Sequence, residues 1–138
     1  MKKKLNALML FCIFITCLLV GCSEESNREN KTYKFVGASK HWEVKYILNQ
    51  DSDIHRQEEK GFLTYKGKDV KNLGTVKYKI EIQNGISKGT LTDTEGRIRI
   101  NSACEGCAFH NKETPIRVTV EWNDQKETFE LEYQKPGS

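Results

Sequence analysis

From residue 32 onward, apolar and polar side chains take turns one by one. That period of two restricts the chain to strands with one buried and one wet face. In HWEVKYIL, Trp42, Val44, Tyr46 and Leu48 share a face while Glu43 and Lys45 take the other. TVKYKIEI places Val76, Tyr78, Ile80 and Ile82 together, and GRIRI does the same with Ile98 and Ile100. No stretch carries a three-to-four-residue apolar repeat long enough for a core helix; SDIHRQEE allows at most one helical turn. Gly61, Gly67, Asn72 to Gly74, Asn84-Gly85 and Gly96 punctuate the strands, with Asn84-Gly85 the strongest hairpin signal. The spacing predicts an all-β fold: an antiparallel β-sandwich of seven or eight strands, immunoglobulin-like in architecture. The Cys…Trp…Cys pattern of antibody domains is missing, so the likeness is one of architecture alone.

The last hairpin, PIRVTVEWNDQKETFELEY, permits a residue-by-residue expectation. A tight turn at Asp124-Gln125 sets Val120 against Phe129, Val118 against Leu131 and Ile116 against Tyr133. On the other face Thr119 meets Glu130 and Arg117 meets Glu132. A slip of one residue would oppose inward to outward positions, so the pattern rejects it.

The chain opens differently. Lys2, Lys3 and Lys4 precede an apolar run from Leu5 to Val20, the layout of an export signal and somewhat short for a permanent span. The block Leu19-Val20-Gly21-Cys22 resembles the lipobox of bacterial lipoproteins. That resemblance implies a diacylglyceryl group on the Cys22 thiol and cleavage before Cys22, and two acyl chains hold durably where one does not. The expected organisation is a signal peptide over 1–21, a lipidated N-terminus and polar tether over 22–31, and a β-sandwich domain over 32–138. HWEVKY, CEGCAF and VTVEWNDQKETFEL resemble blocks of small lipoproteins from Gram-positive bacteria, a likeness that brings no catalytic residues with it. With the leader's three lysines set aside, the 22 basic and 19 acidic residues fall to 19 of each, so no global charge points to nucleic acid.

Of five cysteines, Cys12 and Cys17 lie in the leader and Cys22 is the anchor, which leaves Cys104 and Cys107 in the domain. Outside the cytosol such a pair reads first as a disulfide closing a four-residue loop, eased by Gly106 and worth roughly 2 kcal/mol before strain. The rival reading sets Cys104, Cys107 and His110 on one metal ion or makes the thiols a redox pair. A closed zinc site lacks its fourth ligand, and there is hardly room for the helix that activates redox thiols.

Lys66, Lys68, Lys71, Lys77 and Lys79 form a lysine-rich stretch, of which Lys77 and Lys79 share a strand face. It reads as a solvated face, or as a patch for an anionic wall polymer or lipid headgroups. Asp51 and Asp53 suggest calcium only superficially, since an EF-hand loop would need Gly and Glu where Arg56 and Phe62 stand. His41 and His55 read as surface or boundary histidines, and Trp42 and Trp122 as core or rim packing. No nucleophile elbow, zinc-protease helix or phosphate loop occurs. The sequence therefore predicts a non-catalytic binding module without a cofactor, held to the outer face of the cell membrane by the Cys22 lipid. Its expected partner is an envelope protein or anionic wall polymer and not nucleic acid. A metal-handling or thiol-redox protein is the alternative.

Overall fold

A computed structural model describes residues 29–92 and 94–137. The expected signal peptide, Cys12, Cys17, Cys22 and most of the expected tether lie outside those residues. Eight strands follow one another: β1 (Asn30–Ala38), β2 (Trp42–Asp51), β3 (Arg56–Tyr65), β4 (Thr75–Ile82), β5 (Gly85–Thr92), β6 (Arg97–Glu105), β7 (Ile116–Trp122) and β8 (Gln125–Tyr133). A single 3-10 turn, Val70–Asn72, interrupts the β3–β4 connection. The domain thus begins at Asn30, so the last two residues read as tether already pair with β2.

The fold is all-β. Its strands form one continuous antiparallel sheet in the order β5-β4-β7-β8-β1-β2-β3-β6. The sheet rolls upon itself until it nearly closes, with β5 and β6 as its edges. β8 makes the roll possible by changing partners: Gln125 to Leu131 pair with β7, whereas Glu132 and Tyr133 pair with β1. The inner faces of the two halves meet in one core that includes Phe35, Trp42, Tyr46, Leu63, Ile80, Ile100, Val118 and Leu131. The alternation read from the sequence is realised in β2, where Trp42, Val44, Tyr46 and Leu48 are all buried.

Three local expectations are corrected. The β7–β8 turn is Asn123-Asp124, not Asp124-Gln125, so Val118 faces Phe129, Ile116 faces Leu131 and Val120 faces Glu127. Both turn residues have positive φ, 44° and 57°. A two-residue hairpin of this kind demands that conformation, and Asn and Asp tolerate it better than Gln does. The second correction concerns SDIHRQEE. Ser52 to His55 form a turn in which Asp51 Oδ1 accepts the Asp53 N–H at 3.0 Å, and β3 starts at Arg56. The third concerns Gly61, which does not punctuate but lies in mid-strand opposite Tyr46.

β3 escaped the apolar pattern because two of its inward positions are polar. Gln57 and Glu59 face the core, while Arg56, Glu58 and Lys60 form ion pairs outside. Burying a carboxylate is costly unless it is hydrogen-bonded, and Glu59 accepts the Tyr46 hydroxyl at 2.7 Å. Burial first, and the Glu59 charge second, push the Tyr46 phenol far above its ordinary pKa, so it stays a donor.

A Cβ at Gly61 would sit 2.4 Å from the Lys45 carbonyl oxygen, whereas one at Gly85 would meet nothing closer than 3.5 Å. Gly61→Ala is expected to lower the unfolding free energy by about 1–3 kcal/mol. Gly85→Ala should leave it unchanged or raise it by about 0.5 kcal/mol. Urea denaturation of the two variants checks the contrast; equal behaviour would contradict the close approach of β2 and β3.

Candidate functional site

Alternating strand directions sort the connections to two ends of the molecule. One end holds the β2–β3 turn, the β4–β5 turn and the long β6–β7 connection from Gly106 to Pro115. Asn30, where the chain enters β1, pairs with Asp51 at this same end, hereafter the tether end. The other end holds the β1–β2, β3–β4, β5–β6 and β7–β8 connections.

CEGCAFH lies at the tether end. Gly106 takes a positive φ of 71° and its N–H donates to the His55 carbonyl at 2.7 Å, which draws the loop back under β3. Cys104 stands opposite Gln57. The loop brings Cys104 and Cys107 side by side with their Cα atoms 6.0 Å apart, inside the span a disulfide bridges.

His110 departs from the sequence-based expectation. It is buried, and its Nδ1 accepts the Gln83 N–H at 3.1 Å while Nε2 donates to the Thr114 carbonyl at 2.8 Å. Its own N–H donates to Gln57 Oε1 at 3.0 Å, and its carbonyl accepts from Gln50 Nε2 at 2.8 Å. With both ring nitrogens committed to the backbone, no lone pair is left to join the cysteines on a metal. Among the described residues no group of three His, Cys, Asp or Glu side chains could hold a metal ion. Asp51 likewise serves its own turn, and Asp53 is exposed beyond it.

The far end holds a cluster that the sequence did not disclose. Glu127 points inward at the mouth of the rolled sheet, where its carboxylate accepts from Ser39 Oγ, from the His41 N–H at 3.1 Å and from His41 Nδ1. Desolvation, the largest single influence, would raise its pKa, but the donors at Ser39 and His41 together outweigh it and hold the carboxyl below its ordinary range. His41 stacks on Tyr65, ring centres 6.3 Å apart, and meets the edge of Trp122 at 5.7 Å. Trp42 and Trp122 pack edge-to-face at 5.5 Å, so both tryptophans are core residues. A serine, a histidine and a glutamate therefore meet, but the serine hydroxyl is spent on the carboxylate and not on the imidazole. That is not the order a nucleophilic triad requires. His55 is exposed and lies over Phe109, ring centres 6.3 Å apart.

The outer faces of β5, β4, β7 and β8 gather the lysines. Register sets Lys88 beside Lys79 and Thr119 in one cross-strand row, and Thr90, Lys77, Glu121 and Lys126 in the next. Together they border a shallow groove of about 570 Å³. Lys79 pairs with Glu81 at 3.1 Å and Lys126 with Glu121 at 3.0 Å, whereas Lys77 and Lys88 make no ion pair among the described residues. The Lys126 hydrogen bond, assisted by Lys77 and Lys79, holds the Glu121 carboxyl below its ordinary pKa. Of the lysine-rich stretch, only Lys77 and Lys79 belong to this face, because Lys66, Lys68 and Lys71 sit in the β3–β4 connection.

No family model, no curated protein and no solved structure matches this chain.

Burial, the largest influence, pushes the His110 imidazole below its ordinary pKa, against the Thr114 carbonyl and the Glu59 charge. A proton on Nδ1 would set donor against donor at Gln83. The unfolded chain therefore takes up the proton first, and the stability at stake is complete above about pH 6.5 and lost as pH falls from there. His110→Ala should cost about 1–3 kcal/mol at neutral pH, since it removes a buried ring and leaves the Gln83 N–H and the Thr114 carbonyl without their partner. Its unfolding free energy should also fall less than the wild type's between neutral and mildly acidic pH. Parallel slopes in denaturation series would contradict a neutral, bonded His110.

Proposed function

We propose that this chain is a non-catalytic binding module of the cell envelope, tethered to the outer face of the membrane by a lipid on Cys22. Its partner is an anionic wall polymer taken up along the lysine groove. The observation that carries the reading is the groove itself, where Lys77, Lys79, Lys88 and Lys126 surround one carboxylate, Glu121. Among the described residues, two of those ammonium groups, Lys77 and Lys88, make no ion pair and are open to a phosphate or carboxylate ligand. Thr90 stands beside them, opposite Lys77 on β5, and adds a hydroxyl to the groove. Strand-borne lysines on a rigid sheet lose less freedom on binding than lysines on a loop.

We read the described residues as a surface for binding and not as a catalytic cleft. Among the described residues, the inward carboxylates Glu59 and Glu127 are occupied by Tyr46 and by Ser39 with His41. The metal or thiol-redox alternative has lost its imidazole to Gln83 and Thr114. A disulfide between Cys104 and Cys107 belongs to the same proposal as the extracytoplasmic location, because both rest on an oxidising compartment.

A titration with poly(glycerol phosphate), with neutral dextran as control, tests the groove. Binding should weaken as salt rises from about 0.05 to about 0.3 M, because exposed charges are screened over that interval. The double variant Lys77→Glu, Lys88→Glu should lose affinity by about tenfold or more at unchanged thermal midpoint. Unaltered binding by that variant would remove the groove from the account.

A further inference from the structure

The tether end has a composition that neither its fold nor the lysine groove requires. Ile54, at the tip of the β2–β3 turn, is 60% exposed, and Ala108 in the β6–β7 connection is also exposed. Phe109 lies half-buried between them and the core, its ring over that of His55. These groups are not scattered. The Gly106 N–H holds the β6–β7 connection to His55, and Asn84 Nδ2 donates to the Ala108 carbonyl at 3.4 Å, which ties the same connection to the β4–β5 turn. His110 bolts the assembly from inside through Gln83. Ile86, 64% exposed, stands at the rim one residue past the β4–β5 turn. Three connections thus make one preformed tip, on which the exposed apolar side chains Ile54 and Ala108 stand among polar ones such as Asp53, His55 and Asn84.

The chain's own path says what meets this tip. The Glu29 carbonyl accepts the Ser52 hydroxyl at 3.4 Å, so the backbone leaves the domain beside the very turn that carries Ile54. Seven residue steps separate Glu29 from Cys22, and even fully extended they reach no more than about 25 Å. A lipid on Cys22 therefore keeps the tip within about 25 Å of the bilayer. We infer that the tether end is a bilayer-contact surface, in which Ile54, Ala108 and Phe109 enter the headgroup–acyl boundary of the membrane that carries the anchor. This rests on the proposed lipidation of Cys22. The charges around the tip are of both signs, with Asp53 and Glu113 against Lys112, so the contact is apolar and does not require anionic lipid. Seated in this way, the domain stands on its tether end and turns the lysine groove sideways, away from the lipid.

Tryptophan reporters in the full acylated chain test the inference, because the native Trp42 and Trp122 are buried near the opposite end. Ile54→Trp and Ala108→Trp would be placed in phosphatidylcholine vesicles with brominated acyl chains, beside Lys40→Trp, which lies in the exposed β1–β2 connection. Relative to wild type, the added emission of the first two should fall about twofold or more, as befits insertion to the headgroup–acyl boundary, and that of Lys40→Trp should not. Vesicle flotation separates the two layers of the argument. Protein that floats while all three reporters are quenched alike, or not at all, overturns the contact surface and leaves the anchor standing. Protein that neither floats nor carries a modified Cys22 removes both.

Discussion

The imidazole of His110 sits where three connections converge, and each of its polar atoms is answered by a different segment. Gln83 from the β4–β5 turn donates to one nitrogen and Thr114 of its own connection accepts from the other. The side chains of Gln57 and Gln50 take up its peptide groups. A buried polar group without partners costs about 1–3 kcal/mol, so a site that satisfies several at once strongly favours one arrangement. Remove the ring and the β6–β7 connection loses its bonds to the Gln83 N–H and the Thr114 carbonyl, keeping those of the His110 peptide to Gln57 and Gln50 and of Ala108 to Asn84.

Glu127 and His41 solve a related problem at the opposite end. The rolled sheet leaves an inward position of β8 at its mouth, and a carboxylate there is tolerable only with donors converging on it. Ser39 and His41 supply them, and the ring of His41 then closes over Tyr65 and Trp122. Between the two fastened ends the strands keep a stiff outer face on which the lysines stand in register. In the proposed orientation those features divide the work: an apolar end toward lipid, a cationic flank toward polymer, and a far end closed by its own hydrogen bonds.

The sequence made some of this legible and hid the rest for definable reasons. β2, β4 and β6 announce themselves because their inward residues are aliphatic or aromatic. β3 does not, since Gln57 and Glu59 occupy inward positions, held by Tyr46 and Gln50 of the neighbouring β2 and by the His110 N–H. The β7–β8 register was displaced by two residues rather than one, and this is instructive. A two-residue slip keeps every side chain on its own face, so alternation cannot detect it; only the positive φ of Asn123 and Asp124 decides. That Cys104 and Cys107 lie side by side was legible from their spacing. The role of His110 was not, because its ring partners are backbone groups of Gln83 and Thr114, which carry no side-chain signature. The Lys77–Lys79 pair was visible, but its enlargement by Lys88 and Lys126 needed the strand order.

The proposed lipid at position 22 would fix which surfaces face the membrane and which face the wall. Intact-mass and peptide mass spectrometry of protein extracted from the membranes of producing cells addresses it directly. The account predicts a chain that starts at Cys22, with its thiol carrying a diacylglyceryl group. A chain that retains the leader, or begins elsewhere with an unmodified Cys22, would contradict it.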